Sequence, residues 1–337
     1  MAETRLGAIG DLPLEGGGVL RDAALAYVTY GMLAPDGRNV VLLTHGYTSS
    51  HLFADGGPGA SEGSWAGLVG PGRAIDTDRF FVVSSNMLGS SYGSTGPRSP
   101  NPASGRAYGP DFPPITLLDI VTAQRRLLDS LGVRGLIAVV GPSYGGFQAF
   151  TWGLAFPDFV RDLVPVATGP RAPGTDIDAL LRRLAGDANW NGGRYESGGL
   201  LTTMTALREA TLRRYGIEAQ LAARFPDPAG RAAEITRMAR AWAEVFDPHA
   251  LLVLARAANA FDATAGLGEL QARVLYVLSR SDSLFPPNIA PGVMAAMHAG
   301  GVDARYVEID SPCGHLAPGI DSAKWAPQLA AFLAGLD

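Results

Sequence analysis

The chain has 337 residues, enough for one large α/β domain that carries an insertion. Hydrophobic residues make up 47% and charged residues 18%, a balance that argues against disorder, and a net charge of -5 without clustered Lys and Arg argues against a nucleic-acid surface. A single cysteine, Cys313, leaves no internal disulfide and no structural zinc set, and with no leader-like opening and no apolar run of spanning length the expectation is a cytoplasmic protein without membrane contact.

Short apolar runs recur along the chain. LAYVTYG (25–31), VVLLTHG (40–46), FFVVSSN (80–86), LIAVVGP (136–142), LVPVATG (163–169), VLYVLS (274–279) and ARYVEID (304–310) read as strands. Several are apolar throughout, as in a parallel sheet covered on both faces. The Gly/Pro-rich stretches 55–72 and 89–114 read as long ordered loops. TLLDIVTAQRRLLDSLG reads as a helix with Thr116 as N-cap, stopping at Gly132. Alternation of this kind predicts an α/β fold: a doubly wound, mostly parallel sheet.

The most informative motif is Gly141-Pro142-Ser143-Tyr144-Gly145-Gly146. It matches G-x-S-x-G, the nucleophile elbow of α/β-hydrolases, in which a sharp strand-to-helix turn exposes a serine. The context fits, since LIAVV precedes it and FQAFTWGLAF follows. Without that context, a plain strand-turn-helix would serve equally well. In this arrangement one oxyanion-hole amide comes from the residue after the nucleophile, Tyr144, and the other from the loop Thr44-His45-Gly46-Tyr47, at Tyr47. His45 precedes the serine and reads as a loop-shaping residue.

Between Pro170 and Ala265 the strand rhythm stops and Ala/Leu/Arg-rich helical stretches take over. The chain therefore divides into a core, 1–170 and 265–337, and a helical lid, 171–264, the other option being helices packed on one face without a role at the site. The strand pattern then resumes. Asp282 follows VLYVLS and His315 follows ARYVEID, in the order nucleophile, acid, base that this fold requires. A serine hydroxyl needs such a base and the base needs an orienting acid. Asp282 could instead only cap the turn before Pro286. His249 and His298 lie in helical stretches and read as structural and surface residues, and Cys313 as packing. No metal or cofactor is called for.

Several longer stretches resemble the homoserine O-acetyltransferase family: THGYTSSHLF, NMLGSSYGSTGPRSPNPASGRAYGPDFPPIT, DANWNGG, FDPHALLVLARAANAFD, SDSLFPP and YVEIDSPCGH. The resemblance spans nearly the whole chain. It implies an α/β-hydrolase core, a helical lid, no metal, Ser143, Asp282 and His315 as the triad, and a homodimer formed through the lids. It also exposes two departures. Where the family has an acid after the catalytic histidine, to meet the substrate ammonium, this chain has Leu316. Where the family has a lid arginine for the carboxylate, counting along GLLTTM gives Met204. Leaving one charge of a buried zwitterion unpaired costs roughly 3 kcal/mol or more, so two apolar replacements point to an uncharged substrate.

The expected activity is therefore hydrolysis of a small or medium carboxylic ester, or an amide, through an acyl-enzyme on Ser143. The alternative is acyl-CoA-dependent O-acyl transfer to an altered acceptor, and a non-catalytic binder is the remaining class. The expected partner is a small-molecule ester.

Overall fold

A computed structural model describes residues 3–55, 63–196 and 199–335. Part of the predicted loop 55–72, namely 56–62, lies outside the described residues. Among the described residues the main sheet has eight strands: β1 (Arg5–Pro13), β2 (Val19–Tyr30), β3 (Val40–Thr44), β4 (Phe81–Ser85), β5 (Leu136–Pro142), β6 (Val160–Val166), β7 (Arg273–Ser279) and β8 (Ala304–Ile309). Their spatial order is β1-β2-β4-β3-β5-β6-β7-β8. From β4 to β8 all pairings are parallel, while β1 and β2 form an antiparallel hairpin that adds to the sheet through β4.

Every residue of β3 is buried, and the pleat divides them between two cores. Val40 and Leu42 pack on one face with Leu127, Phe150 and Trp152, which come from α1 (Leu117–Ser130) and α2 (Tyr144–Ala155). Val41 and Leu43 pack on the other with Trp65, Trp325 and Phe332. An uninterrupted apolar strand is the sequence consequence of that two-sided cover. Helix α1 opens on a capping box: Thr116 Oγ1 accepts from the Asp119 amide and the Asp119 carboxylate accepts from the Thr116 amide, at 3.2 and 2.9 Å.

Between β6 and β7 the described chain is helical: α3 (Ile177–Ala185), α4 (Leu201–Arg214), α5 (Ile217–Leu221), α6 (Pro228–Ala243) and α7 (Pro248–Ala260). The two ends of this segment meet at its base. The Ala263 amide donates to the Pro170 carbonyl at 2.7 Å, and Arg171 pairs with Asp262. Helix α7 belongs to both parts of the molecule. Val253, Leu254, Ala257 and Ala258 join the core face that holds Tyr144 and Phe147, while Ala250, Leu251 and Leu252 join an apolar cluster within the insertion. Among the described residues the remaining α-helices are α8 (Ala290–Ala299), α9 (Ala317–Ile320) and α10 (Ala326–Ala334). No helix among the described residues is long and apolar enough to cross a membrane.

Candidate active site

Ser143 stands between the end of β5 and the first residue of α2, with φ 55° and ψ −117°. A non-glycine residue avoids this region unless its surroundings impose it. Here the Ser143 amide donates to the Val166 carbonyl at 2.8 Å, and its carbonyl accepts from Thr168 Oγ1 at 2.8 Å. The flanking glycines have a steric reason. A Cβ on Gly141 would sit 2.1 Å from Thr44 Oγ1, and one on Gly145 would sit 2.1 Å from the Thr44 carbonyl. The turn is thus wedged against the end of β3.

The loop after β3 is held from several sides. The His45 imidazole is fully buried; its Nδ1 pairs with the Gly46 carbonyl at 2.8 Å and its Nε2 accepts from the Met87 amide at 3.0 Å. Burial pushes its pKa down to about 3, so the ring is neutral and shapes the loop. Tyr47 and Tyr144 stack with ring centroids 5.9 Å apart and planes 9° apart. Their hydroxyls donate to carbonyls of α7, Tyr47 to Leu251 at 2.6 Å and Tyr144 to Leu254 at 3.1 Å. Tyr144 is the first residue of α2, so its own N–H has no acceptor within that helix. The sequence points only to the amides of this pair; nothing in it reports that the two phenols brace both loops against α7.

At the ends of β7 and β8 an acid meets a base. Asp282 Oδ2 and His315 Nδ1 are 2.7 Å apart, both side chains almost fully buried. Asp282 Oδ1 accepts from the amides of Leu284 and Phe285 at 2.8 and 3.3 Å. Burial alone would raise this carboxyl, but the imidazole and those two amides outweigh it and hold it below the usual carboxylate range. Asp282 therefore caps its turn and also engages His315. Ser281 laces the two loops together, its Oγ donating to the Ser311 carbonyl at 2.6 Å and accepting from the Gly314 amide at 2.9 Å. The imidazole packs against the rings of Tyr215, at 4.8 Å, and Phe285, at 5.9 Å. Sequence reasoning missed both rings: Tyr215 lies 100 positions before His315, and Phe285, though in the loop of Asp282, carries no local sign of packing on the imidazole.

Ser143 opens onto a cavity of about 380 Å³, with Tyr47, Thr48 and Tyr144 from the core side, Leu180, Leu207, Thr211, Arg214, Tyr215 and Trp242 from the insertion, and Leu284 and Phe285 beside His315. Neither residue expected to shape the substrate pocket lines it. Met204, 1% exposed, packs with Leu184, Leu200 and Trp242 and borders a separate cavity of about 340 Å³ beside Arg98, Tyr195 and His249. Leu316, also 1% exposed, packs with Leu212, Tyr215 and Ile217. The reason is geometric: an alignment position identifies a helix turn or a loop, while the side-chain direction is set by apolar neighbours that bury it. Arg208 points to Thr48 Oγ1 at 2.6 Å and lies 5.1 Å from the Trp242 ring, one layer behind the wall. Among the described residues no three His, Cys, Asp or Glu side chains cluster to hold a metal.

Two other histidines carry a stability consequence. His51 is mostly buried, with Nε2 2.9 Å from Thr4 Oγ1, and burial pushes its pKa down to about 4. His45 and His51 thus stay neutral in the fold where the unfolded chain, with pKa about 6.5, takes up protons. Stability present above pH 6.5 is lost as pH falls toward these two values. Urea titrations are expected to show a slope approaching about 2.7 kcal/mol per pH unit between pH 6 and 4.5, roughly halved in His51→Gln.

A mostly parallel sheet with a serine on a strained strand-to-helix turn and an acid–imidazole pair at later strand ends defines a protein of the α/β-hydrolase class. The chain matches the α/β-hydrolase fold family over residues 39–319. It is 37% identical to a homoserine O-acetyltransferase of Symbiobacterium thermophilum, over 97% of this chain and 92% of that one. Two solved structures are similar throughout: esterase E22, with TM-score 0.87 and 27% identity over 99% and 100% of the two chains, and a homoserine O-acetyltransferase of Bacillus anthracis, with TM-score 0.81 and 27% identity over 99% and 98%. The chain belongs to the homoserine O-acetyltransferase family of the α/β-hydrolase superfamily.

Proposed function

We propose that this chain moves an acyl group through a covalent acyl-enzyme on Ser143. The observation that carries the reading is the strained Ser143 facing a cavity beside the Asp282–His315 pair. His315 takes the hydroxyl proton as Ser143 Oγ attacks the carbonyl carbon. Asp282 holds the imidazole in the tautomer that can accept and stabilises the imidazolium formed. The amides of Tyr47 and Tyr144 bind the oxyanion. The tetrahedral intermediate collapses as His315 protonates the leaving alcohol or thiol, and an acceptor then repeats the sequence in reverse. The reading requires Ser143 Oγ to meet His315 Nε2 once substrate is bound, since catalytic hydrogen bonds tighten in the Michaelis complex.

Transfer to a hydroxyl acceptor stands first, because the sequence relatives are named for that reaction. Hydrolysis stands second, favoured by two features. The described cavity wall offers no carboxylate to an ammonium group, and the esterase E22 backbone is similar over the whole chain. The triad chemistry is common to both, so only the acceptor separates them. Acetyl-CoA and 4-nitrophenyl acetate are therefore to be turned over with and without homoserine or a neutral alcohol, with free acetate and O-acetyl product both quantified. Transfer expects thiol release that depends on an added hydroxyl acceptor. Hydrolysis expects free acetate in plain buffer, indifferent to homoserine. No Ser143-dependent release under either condition would sink the acyl-enzyme itself.

A further inference from the structure

The cavity at Ser143 has an uneven charge. Its described wall is built from apolar, aromatic and neutral polar side chains with one exception, Arg214 in the last turn of α4. The neighbouring Arg213 is engaged with Glu218 on the outside of the helix. Arg214 makes no ion pair or hydrogen bond to another side chain among the described residues, and it is exposed at the rim. A cation at a helix C-terminus is favoured there by the helix dipole alone, but that effect does not require the residue to face a cavity. Thr211, one turn earlier, lines the same cavity, so this face of α4 borders the space onto which Ser143 opens.

From this arrangement we infer that Arg214 is a specificity residue for substrates carrying an anionic group, carboxylate or phosphate, at a distance from the scissile carbonyl. The inference rests on the acyl-enzyme reading and adds the substrate class. A guanidinium at the rim of a low-dielectric cleft attracts an anion as it enters and can hold it by two parallel hydrogen bonds. It touches neither the scissile bond nor the triad, so its effect falls on the selection among substrates.

The anion could sit on the acyl group or on the leaving alcohol. Two matched pairs of substrates separate these. 4-Nitrophenyl hydrogen adipate against 4-nitrophenyl hexanoate places the charge on the acyl side. 4-Acetoxybenzoate against its methyl ester places it on the alcohol side. In each pair kcat/KM for alcohol release reports acylation, whichever acceptor follows. In at least one pair the anionic-to-neutral ratio is expected to fall about 10-fold in Arg214→Gln, to fall further in Arg214→Glu, and to return toward the wild-type ratio in Arg214→Lys. In the wild type that ratio should shrink as ionic strength rises. Ratios that are the same in wild type and Arg214→Glu for both pairs would overturn the inference while leaving the acyl-enzyme reading intact. An enzyme that releases alcohol from none of the four esters, and whose Ser143 is not labelled by a fluorophosphonate, would overturn both.

Discussion

Ser143→Ala is expected to lower kcat/KM for any ester or thioester this chain accepts by about 10⁴-fold or more, which is about 5 kcal/mol of transition-state stabilisation. The residual rate should be that of an oxyanion hole and a binding cavity without a nucleophile. The alanine keeps the backbone of the elbow, so loss of fold does not confound the result. A companion variant tests the strain directly. With φ 55° and ψ −117° at position 143, only glycine is free of the steric cost. Ser143→Gly should be as inactive as Ser143→Ala yet more stable than it by about 1 kcal/mol in urea denaturation. Strain retained at one serine at the expense of stability has a reason if that serine reacts. Equal stability of the two variants would remove that argument, and an active Ser143→Ala would remove the nucleophile.

Much of this site can be read from the sequence because the fold encodes it locally. The elbow is five consecutive residues with the sheet's most apolar strands around it, and Asp282 and His315 are fixed by their places after β7 and β8. Uninterrupted burial on both faces makes those strands conspicuous. The first strand is not conspicuous: in β1 only Ile9 and Leu12 are buried, so an edge strand covered on one side leaves little apolar signal. The cavity wall is less legible still. It gathers side chains from α4, the 170–175 stretch, α6 and α7 whose directions depend on how the insertion docks, and no periodicity in the sequence reports docking. Met204 and Leu316 show the consequence, since counting along a family motif locates their backbone turns and not what their side chains face. Arg214 shows the converse, an ordinary arginine in an Arg-rich helix end that the docking places at the rim of the Ser143 cavity.

The Asp282–His315 contact permits an equally sharp test, because the two roles open to Asp282 call for different atoms. As a turn cap it uses Oδ1, which accepts from Leu284 and Phe285; as an orienting acid it uses Oδ2, 2.7 Å from His315 Nδ1. In Asp282→Asn the new amide side chain can keep a carbonyl oxygen for the two backbone amides but must then present an NH₂ group to the imidazole. The ring would have to offer an acceptor at Nδ1 and carry its proton on Nε2, the nitrogen needed to receive the serine's proton. A cap-only role therefore predicts near-normal turnover for Asp282→Asn. The orienting role predicts a loss of about 10⁴-fold in kcat with little change in melting temperature. Fluorophosphonate labelling of Ser143 should slow in parallel, since that reaction also needs the serine's proton removed. The charge is present well into the acid range, because His315 and the two amides hold Asp282 below the ordinary carboxylate pKa despite its burial. Protonation of Asp282 in the folded state is therefore not expected to limit turnover around neutral pH. Turnover by Asp282→Asn equal to wild type would assign the carboxylate to the turn alone and leave His315 without its orienting partner.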